Sequence, residues 1–395
     1  MKTRLSGLFS SLKWVISNSF VCPKMGKIPL DRWYTGRVGI NDPQQQPQED
    51  SARPRGVSET YVEGNFLGLP ESAGPVDLVV LPLPYELTTS YGQGTADGPA
   101  ACIAASAQVE VFDAALNEDL PASHSIHTAP AWEGNGPTLA SQLDELGSYL
   151  SPWCTGDVFP LALGGEHGIL PPFMWAMRHH PALDGDLGNL TVVQIDAHAD
   201  LRAELDGEAF SHACAAARSL DMGLGRLLQV GVRAYAKEEA EWIRNDERIT
   251  TFFAKDTQHP TTGVATWEQW IDLLSGLTGP VHLTIDIDGL DASLVPATGT
   301  PVPGGLSFWQ AIQTIEAVFD APGAVVISAD VNEIATNDHS PLTEFTAAML
   351  ATKTVASHLK ARKEGRWKAM TDARGPVRSG AQCTYFSTMM NKTEQ

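Results

Sequence analysis

Three stretches of this chain place acids and histidines where a run of apolar residues stops. "VVQIDAHADL" (Val192–Leu201) runs into Asp196, His198 and Asp200 at every second position, and "VHLTIDID" (Val281–Asp288) closes on Asp286 and Asp288. "FPLALGGEH" (Phe159–His167) ends in a Gly-Gly turn followed by Glu166 and His167. Side chains alternate along a strand, so positions i, i+2 and i+4 share a face. Strand geometry carried through "DAHAD" would therefore gather Asp196, His198 and Asp200 on one side. An ionised carboxylate in apolar surroundings is costly unless it is paired or bound to a metal. Each end alone has an ordinary explanation, since a DxD is commonly a turn or cap and a single histidine a satisfied core residue. Three together are harder to explain that way, because neighbouring carboxylates repel unless positive charge lies between them.

Charge balance points to two divalent ions per chain. Asp196, Asp200, Asp286 and Asp288 supply four negative charges, and His167 and His198 ligate as neutral imidazoles. Hard oxygen donors with two imidazoles suit manganese, with nickel, cobalt or iron as alternatives; the absence of thiolates argues against structural zinc. A metal lowers the pKa of bound water to about 7, which suits hydrolysis of a poor electrophile.

The elements that must position these groups alternate from about Thr60 onward. Strands are expected at Val76–Pro84, in "FPLALGG", "LTVVQID" and "LGRLLQVGVR", at Val281–Asp288 and in "GAVVISADV". Helices are expected in "DGPAACIAASAQVEVF" and "GPTLASQLDELGSYL", after Gly168, and near Thr266–Leu277, Ser307–Phe319 and Pro341–Leu359. That alternation predicts an α/β fold with a mainly parallel sheet covered on both faces. Open sheets of this kind bind ligands at the carboxyl ends of their strands, where the acids stand. Residues 61–395 read as a single domain, and residues 1–60 as an extension and linker. Residues 1–30 carry five basic residues and no acid, which suits an organelle-targeting segment or an unstructured tail.

The formal net charge of −20 argues against nucleic-acid binding, and no apolar run approaches the roughly 20 residues of a membrane span. Five cysteines without CxxC spacing imply a reducing compartment, so a cytoplasmic location is expected.

"GGEH", "DAHADLR…SHA", "TIDIDGLD…ATGTPVPGGLS" and "ADVNEIA" stand in an order and spacing that resembles the ureohydrolase (arginase–agmatinase) family. The resemblance runs from about Thr60 to Leu359. "SYGQGTADGPAAC", "DAHADLRAELDGEAFSHA" and "LLQVGVR" are most similar to the agmatinase branch. It implies a three-layer αβα sandwich around an about eight-stranded sheet, and a homo-oligomer, trimer or hexamer. It also implies a binuclear manganese centre held by His167, Asp196, His198, Asp200, Asp286 and Asp288, with Asp196 and Asp286 bridging. Asp200 would also hold the attacking water, His212 would move protons, and Glu333 would grip the guanidinium. Glu166 departs from the Asp of many members, Gly168 from their Ser or Thr, and prolines usual after Asp291 and near Thr336 are missing. These departures leave all six ligands intact and bear on loop shape.

The expected reaction cleaves a small cationic guanidino substrate to urea and an amine. The loop "LRAELDGEAFS" sets Arg202 against Glu204, Asp206 and Glu208, which disfavours a carboxylate tail. Agmatine, giving putrescine and urea, is the first expectation, and guanidine, giving urea and ammonia, the second. Another guanidino acid is a further alternative. From other classes come a single-zinc deacetylase and a non-catalytic ureohydrolase-like regulator. Trp309, after "GGLSF", is expected to narrow the substrate mouth. His179 and His180 are expected to be a surface pair and Cys214 a small buried residue, and His124, His127, His259, His282, His339 and His358 show no partner pattern.

Overall fold

The computed structural model describes residues 61–71, 74–371, 375 and 378–393, so the proposed extension at 1–60 lies outside the described residues. Its strands are β1 (Leu78–Leu83), β2 (Phe112–Asp113), β3 (Glu118–Asp119), β4 (Ile126–Thr128), β5 (Phe159–Gly164), β6 (Thr191–Ile195), β7 (Arg226–Val230), β8 (Ile249–Phe252), β9 (Thr278–Asp286) and β10 (Gly323–Asn332). Eight of them form one sheet in the order β4-β1-β5-β10-β9-β6-β7-β8, and every pairing in it is parallel. β2 and β3 make a separate antiparallel ribbon.

Strand alternation divides the core in two. Leu78 and Val80 of β1 face one apolar cluster, while Val79, Leu81 and Leu83 face the other. The first cluster is closed by α1 (Gly98–Ser106), α7 (Gly263–Ser275), α8 (Phe308–Asp320) and α9 (Leu342–Lys363). The second is closed by α2 (Leu139–Leu150), α3 (Leu170–Met177), α4 (Ala215–Asp221) and α10 (Tyr385–Thr393). α5 (Lys237–Asn245) and the single turn α6 (Ala254–Thr257) lie beside the β8 edge in the chain. This is the three-layer αβα sandwich the sequence predicted. Helix starts follow capping chemistry: Thr138 accepts from Ser141 N at 3.2 Å before α2, and Ser307 from Gln310 N at 3.3 Å before α8.

The differences from expectation sit where apolar pattern is weak. β4 and β8, the two edge strands, contribute only "IHT" and "ITTF", too short for a periodic signal. α5, "KEEAEWIRN", is largely polar. The strand expected at Val281–Asp288 begins at Thr278 and stops at Asp286, and Ile287–Gly289 forms a 3-10 turn. No described helix is long and apolar enough to cross a membrane.

Candidate active site

β5, β10, β9 and β6 are neighbours in the sheet, and because they run parallel their carboxyl ends meet on one edge. His167 leaves β5 through Gly165, where a Cβ would lie 2.0 Å from the Tyr85 carbonyl oxygen, so no other residue fits this turn. Asp196 follows β6, Asp286 ends β9, and Glu333 follows β10. His167 Nδ1 lies 3.1 Å from Asp196 Oδ2, 2.9 Å from Asp200 Oδ2 and 3.6 Å from Asp286 Oδ2. His198 Nδ1 lies 3.0 Å from Asp288 Oδ2 and 3.7 Å from Asp196 Oδ1. Two groups could each hold an ion, His167 with Asp196 and Asp286, and Asp196 with His198 and Asp288; Asp196 is common to both.

The side chains converge, but not by the strand geometry expected of "DAHAD". β6 stops at Ile195, and Asp200 takes a left-handed backbone with φ of 54°. Asp196 caps the turn by accepting from His198 N at 2.6 Å, and Asp286 accepts from Asp288 N at 2.9 Å. These side chain to backbone bonds curl each acidic segment over its strand end and return alternate residues to the same point.

Electrostatics describe a site with surplus negative charge. Burial, then the neighbouring Asp288 and Asp196, hold the Asp286 carboxyl well above its usual range. Burial and the Asp196 charge raise Asp200 to about 7. Burial opposes protonation of His198, yet Asp288 and Asp196 outweigh it and carry the imidazole to about 11. Asp200 Oδ2 is buried and makes no hydrogen bond of acceptable geometry. Carboxylates that pull protons onto two imidazoles are a donor set suited to divalent cations, which would stand where those protons do.

Behind the cluster runs a polar relay that sequence reading missed. His167 Nε2 lies 2.8 Å from Thr284 Oγ1, which donates to Asp330 Oδ1 at 2.5 Å. Asp330 Oδ2 lies 2.7 Å from His282 Nε2, and His282 Nδ1 2.7 Å from Ser328 Oγ. His282 is therefore partnered, by residues that no local sequence pattern pointed to. On the other side Gln194 Nε2 donates to Asp196 Oδ2 at 2.7 Å, and Gln229 Nε2 to Gln194 Oε1 at 2.9 Å. All of these side chains are buried. The signal was present: His282, Thr284 and Asp286, and Ser328, Asp330 and Asn332, are polar at every second position of otherwise apolar strands.

In front of the cluster lies a cavity of about 310 Å³ lined by His167, His198, Asp200, Asp286, Asp288, His212 and Glu333 among others. Glu333, left-handed at φ of 61°, accepts from His167 N at 2.8 Å through Oε1. Its Oε2 lies toward Gly299, which also lines the cavity. Burial and the two nearby imidazoles lower His212 to about 4. Trp309 does not line the cavity: it is 70% exposed on α8 and packs edge-on against Phe308. The acids of the 201–211 loop also stay outside the lining. Arg202 lines it, beside the buried Glu239, whose Oε2 lies 3.9 Å from Arg202 Nε. Cys214 is buried, with its thiol raised to about 12 by burial, as expected. His180 is buried rather than on the surface, because its Nδ1 accepts from Ala182 N at 3.1 Å.

The profile of the Arginase family matches residues 76–357, a span that holds every one of these acids and imidazoles. The chain belongs to that family. The N(1)-aminopropylagmatine ureohydrolase of Synechocystis sp. is 36% identical over 282 residues, covering 70% of this chain and 87% of that protein. The agmatinase of Bacillus cereus is 30% identical over 296 residues, covering 73% of this chain and 94% of that protein. A crystal structure of a hypothetical agmatinase from Burkholderia thailandensis has a TM-score of 0.66 at 27% identity, over 77% of this chain and 92% of that chain. The chain is an agmatinase-like hydrolase of the ureohydrolase class, and its parallel eight-stranded sheet with flanking helices matches arginase-fold neighbours.

Proposed function

We propose that the chain hydrolyses agmatine to urea and putrescine at a pair of divalent ions, with manganese preferred and nickel as the competitor. One observation carries this reading: two metal-ligand groups sharing Asp196 open onto the same cavity as Glu333 and His212. His167, Asp196, Asp200 and Asp286 would hold one ion, and Asp196, His198, Asp286 and Asp288 the other. The bound ions would lower the pKa of water to about 7 at neutral pH.

The rest of the work falls to side chains. Glu333 presents Oε2 to the guanidinium, a charge-assisted contact that fixes the carbon for attack. Asp200, whose Oδ2 lies 2.9 Å from His167 Nδ1, would hold the ion through that oxygen and leave Oδ1 to accept from the attacking water and orient it. Burial and the two imidazoles hold His212 low, at about 4, so it is neutral near pH 7 and passes a proton on to the departing amine or to solvent rather than keeping it. Outside the two groups that share Asp196, the cavity wall carries Asp200, Glu239 and Glu333 against Arg202, a balance that favours a cationic substrate.

A longer polyamine tail is the second reading, favoured by the 36% identity to an aminopropylagmatine ureohydrolase. By the same resemblance the chain would act as a homo-oligomer, a trimer or hexamer, which light scattering would test. Urea release from agmatine, N(1)-aminopropylagmatine, guanidine, guanidinobutyrate and arginine, after reloading with manganese or nickel, tests the whole reading. Agmatine is expected to give the highest kcat/KM with about two ions bound per chain. No urea from any of the five would overturn it.

A further inference from the structure

The segment that delivers His167 also delivers Glu166, to which the hydrolysis gives no part. Its side chain is fully buried, and both carboxylate oxygens are engaged by Thr88, on another segment. Oε2 accepts from Thr88 N at 2.8 Å, and Oε1 accepts from Thr88 Oγ1 at 2.8 Å. Having given its hydrogen to Glu166, the Thr88 hydroxyl offers a lone pair, which accepts from His212 N at 2.9 Å. Two residues on, Ser90 Oγ stands 3.4 Å from His212 Nε2. Thr89, Ser90 and Gly92 line the cavity, and Gly92 N donates to Gly299 O at 2.9 Å on its far wall. Gly168 leaves room for this arrangement: a Cβ there would come within 2.9 Å of the Tyr85 ring and 3.1 Å of Glu166 Oε1.

We propose that Glu166 and Thr88 are positioning residues for the hydrolysis, fastening the 85–92 loop and the backbone of His212 so that Ser90 and the imidazole face the cavity. Neither residue touches the ions or the substrate. The carboxylate acts through Thr88, and Thr88 acts through the backbone that carries His212. A carboxylate buried this fully is costly unless hydrogen-bonded, and here its bonds go to the loop that lines the cavity rather than to its own strand. The departure of Glu166 and Gly168 from the family pattern is one arrangement: the longer acid reaches Thr88, and the glycine clears its path.

The inference rests on the proposed hydrolysis, so the test keeps the two apart. Thr88→Val keeps the volume and the N–H bond to Glu166 but removes the hydroxyl that meets His212, whereas Thr88→Ser keeps that hydroxyl. Glu166→Gln keeps the shape and an acceptor for Thr88 N but turns an N–H to the Thr88 hydroxyl, which then loses the acceptor for its own hydrogen. Each full-length variant is loaded with manganese, and metal content, kcat, KM and hydrogen exchange of the 85–92 amides are measured. T88V and E166Q are expected to lose about 10- to 100-fold in kcat, the scale of a misplaced reacting group. Metal content should be unchanged and exchange in the loop faster, and T88S should recover most of the loss. Equal kcat in T88V and T88S overturns the proposal, as does a loss that tracks loss of metal. A wild type that releases no urea overturns the hydrolysis instead, and the exchange measurement then still decides whether Glu166 holds the loop.

Discussion

His167 can offer a lone pair from Nδ1 only while Nε2 keeps its proton, and Thr284 decides which nitrogen keeps it. The Thr284 hydroxyl gives its hydrogen to Asp330 Oδ1 at 2.5 Å, so toward His167 Nε2, 2.8 Å away, it can only accept. Asp330 thereby fixes the tautomer of a proposed ligand from two bonds away. Asp330→Asn is expected to weaken metal binding about 10- to 100-fold, the usual cost of losing a partner behind a ligating histidine. Competition against a chelator measures this directly, and an unchanged affinity would show that the relay is only packing. At the same scale His212→Asn should lower kcat about 100-fold or more, as loss of a proton-transfer group does. Its metal content and KM should stay close to those of wild type. A KM that rises in step with an unchanged kcat would assign the imidazole to substrate binding instead.

The central strands were legible because parallel strands buried on both faces read as apolar runs, as in "VDLVVLPLP" and "GAVVISADV". The candidate ligands were legible because they interrupt such runs at fixed intervals. What joins them was less so. Asp200 reaches the cluster through a left-handed residue, which no alternation rule describes. Thr88 meets Glu166 across 78 positions and His212 across 124, and no local pattern encodes contacts of that range. Trp309 shows the converse, since a residue type suggestive of a substrate wall turned outward with the helix that carries it. That helix, α8, offers a control for the functional predictions. Ser307→Ala removes its capping box and should cost about 1 kcal/mol of stability, read from denaturant midpoints. The site lies off this cap, so kcat should not change; a fall in kcat would mean that α8 is coupled to the cavity.

Considered as a whole, the molecule keeps histidines whose protonation folding disfavours. His358 on α9 is fully buried, stacked on Phe159 with ring centroids 4.1 Å apart and met edge-on by Trp367 at 4.9 Å. Neither of its ring nitrogens has a hydrogen-bond partner. Burial, then the nearby Arg362 and His124, hold it well below the usual value. His180, also buried, is lowered by burial to about 4. In the unfolded chain both titrate near 6.5. Above that pH neither state binds the proton and the histidines are neutral in the balance. As the pH falls below about 6.5 the unfolded chain takes up protons that the folded one refuses, so stability declines, by about 1.4 kcal/mol per pH unit for each group. For His180 that decline ends near pH 4; for His358 it continues lower. The proposed metal ligands also respond to acid, so a wild-type curve alone does not isolate the effect. His358→Phe keeps the stacked ring and removes the titration. Urea denaturation of both proteins between pH 7.5 and 5, on the metal-loaded enzyme, should give the variant a slope of stability against pH shallower by one group's share. Any packing strain from the larger ring shifts the curve without tilting it. Parallel curves would mean that His358 finds a hydrogen-bond acceptor in solution and is not held neutral.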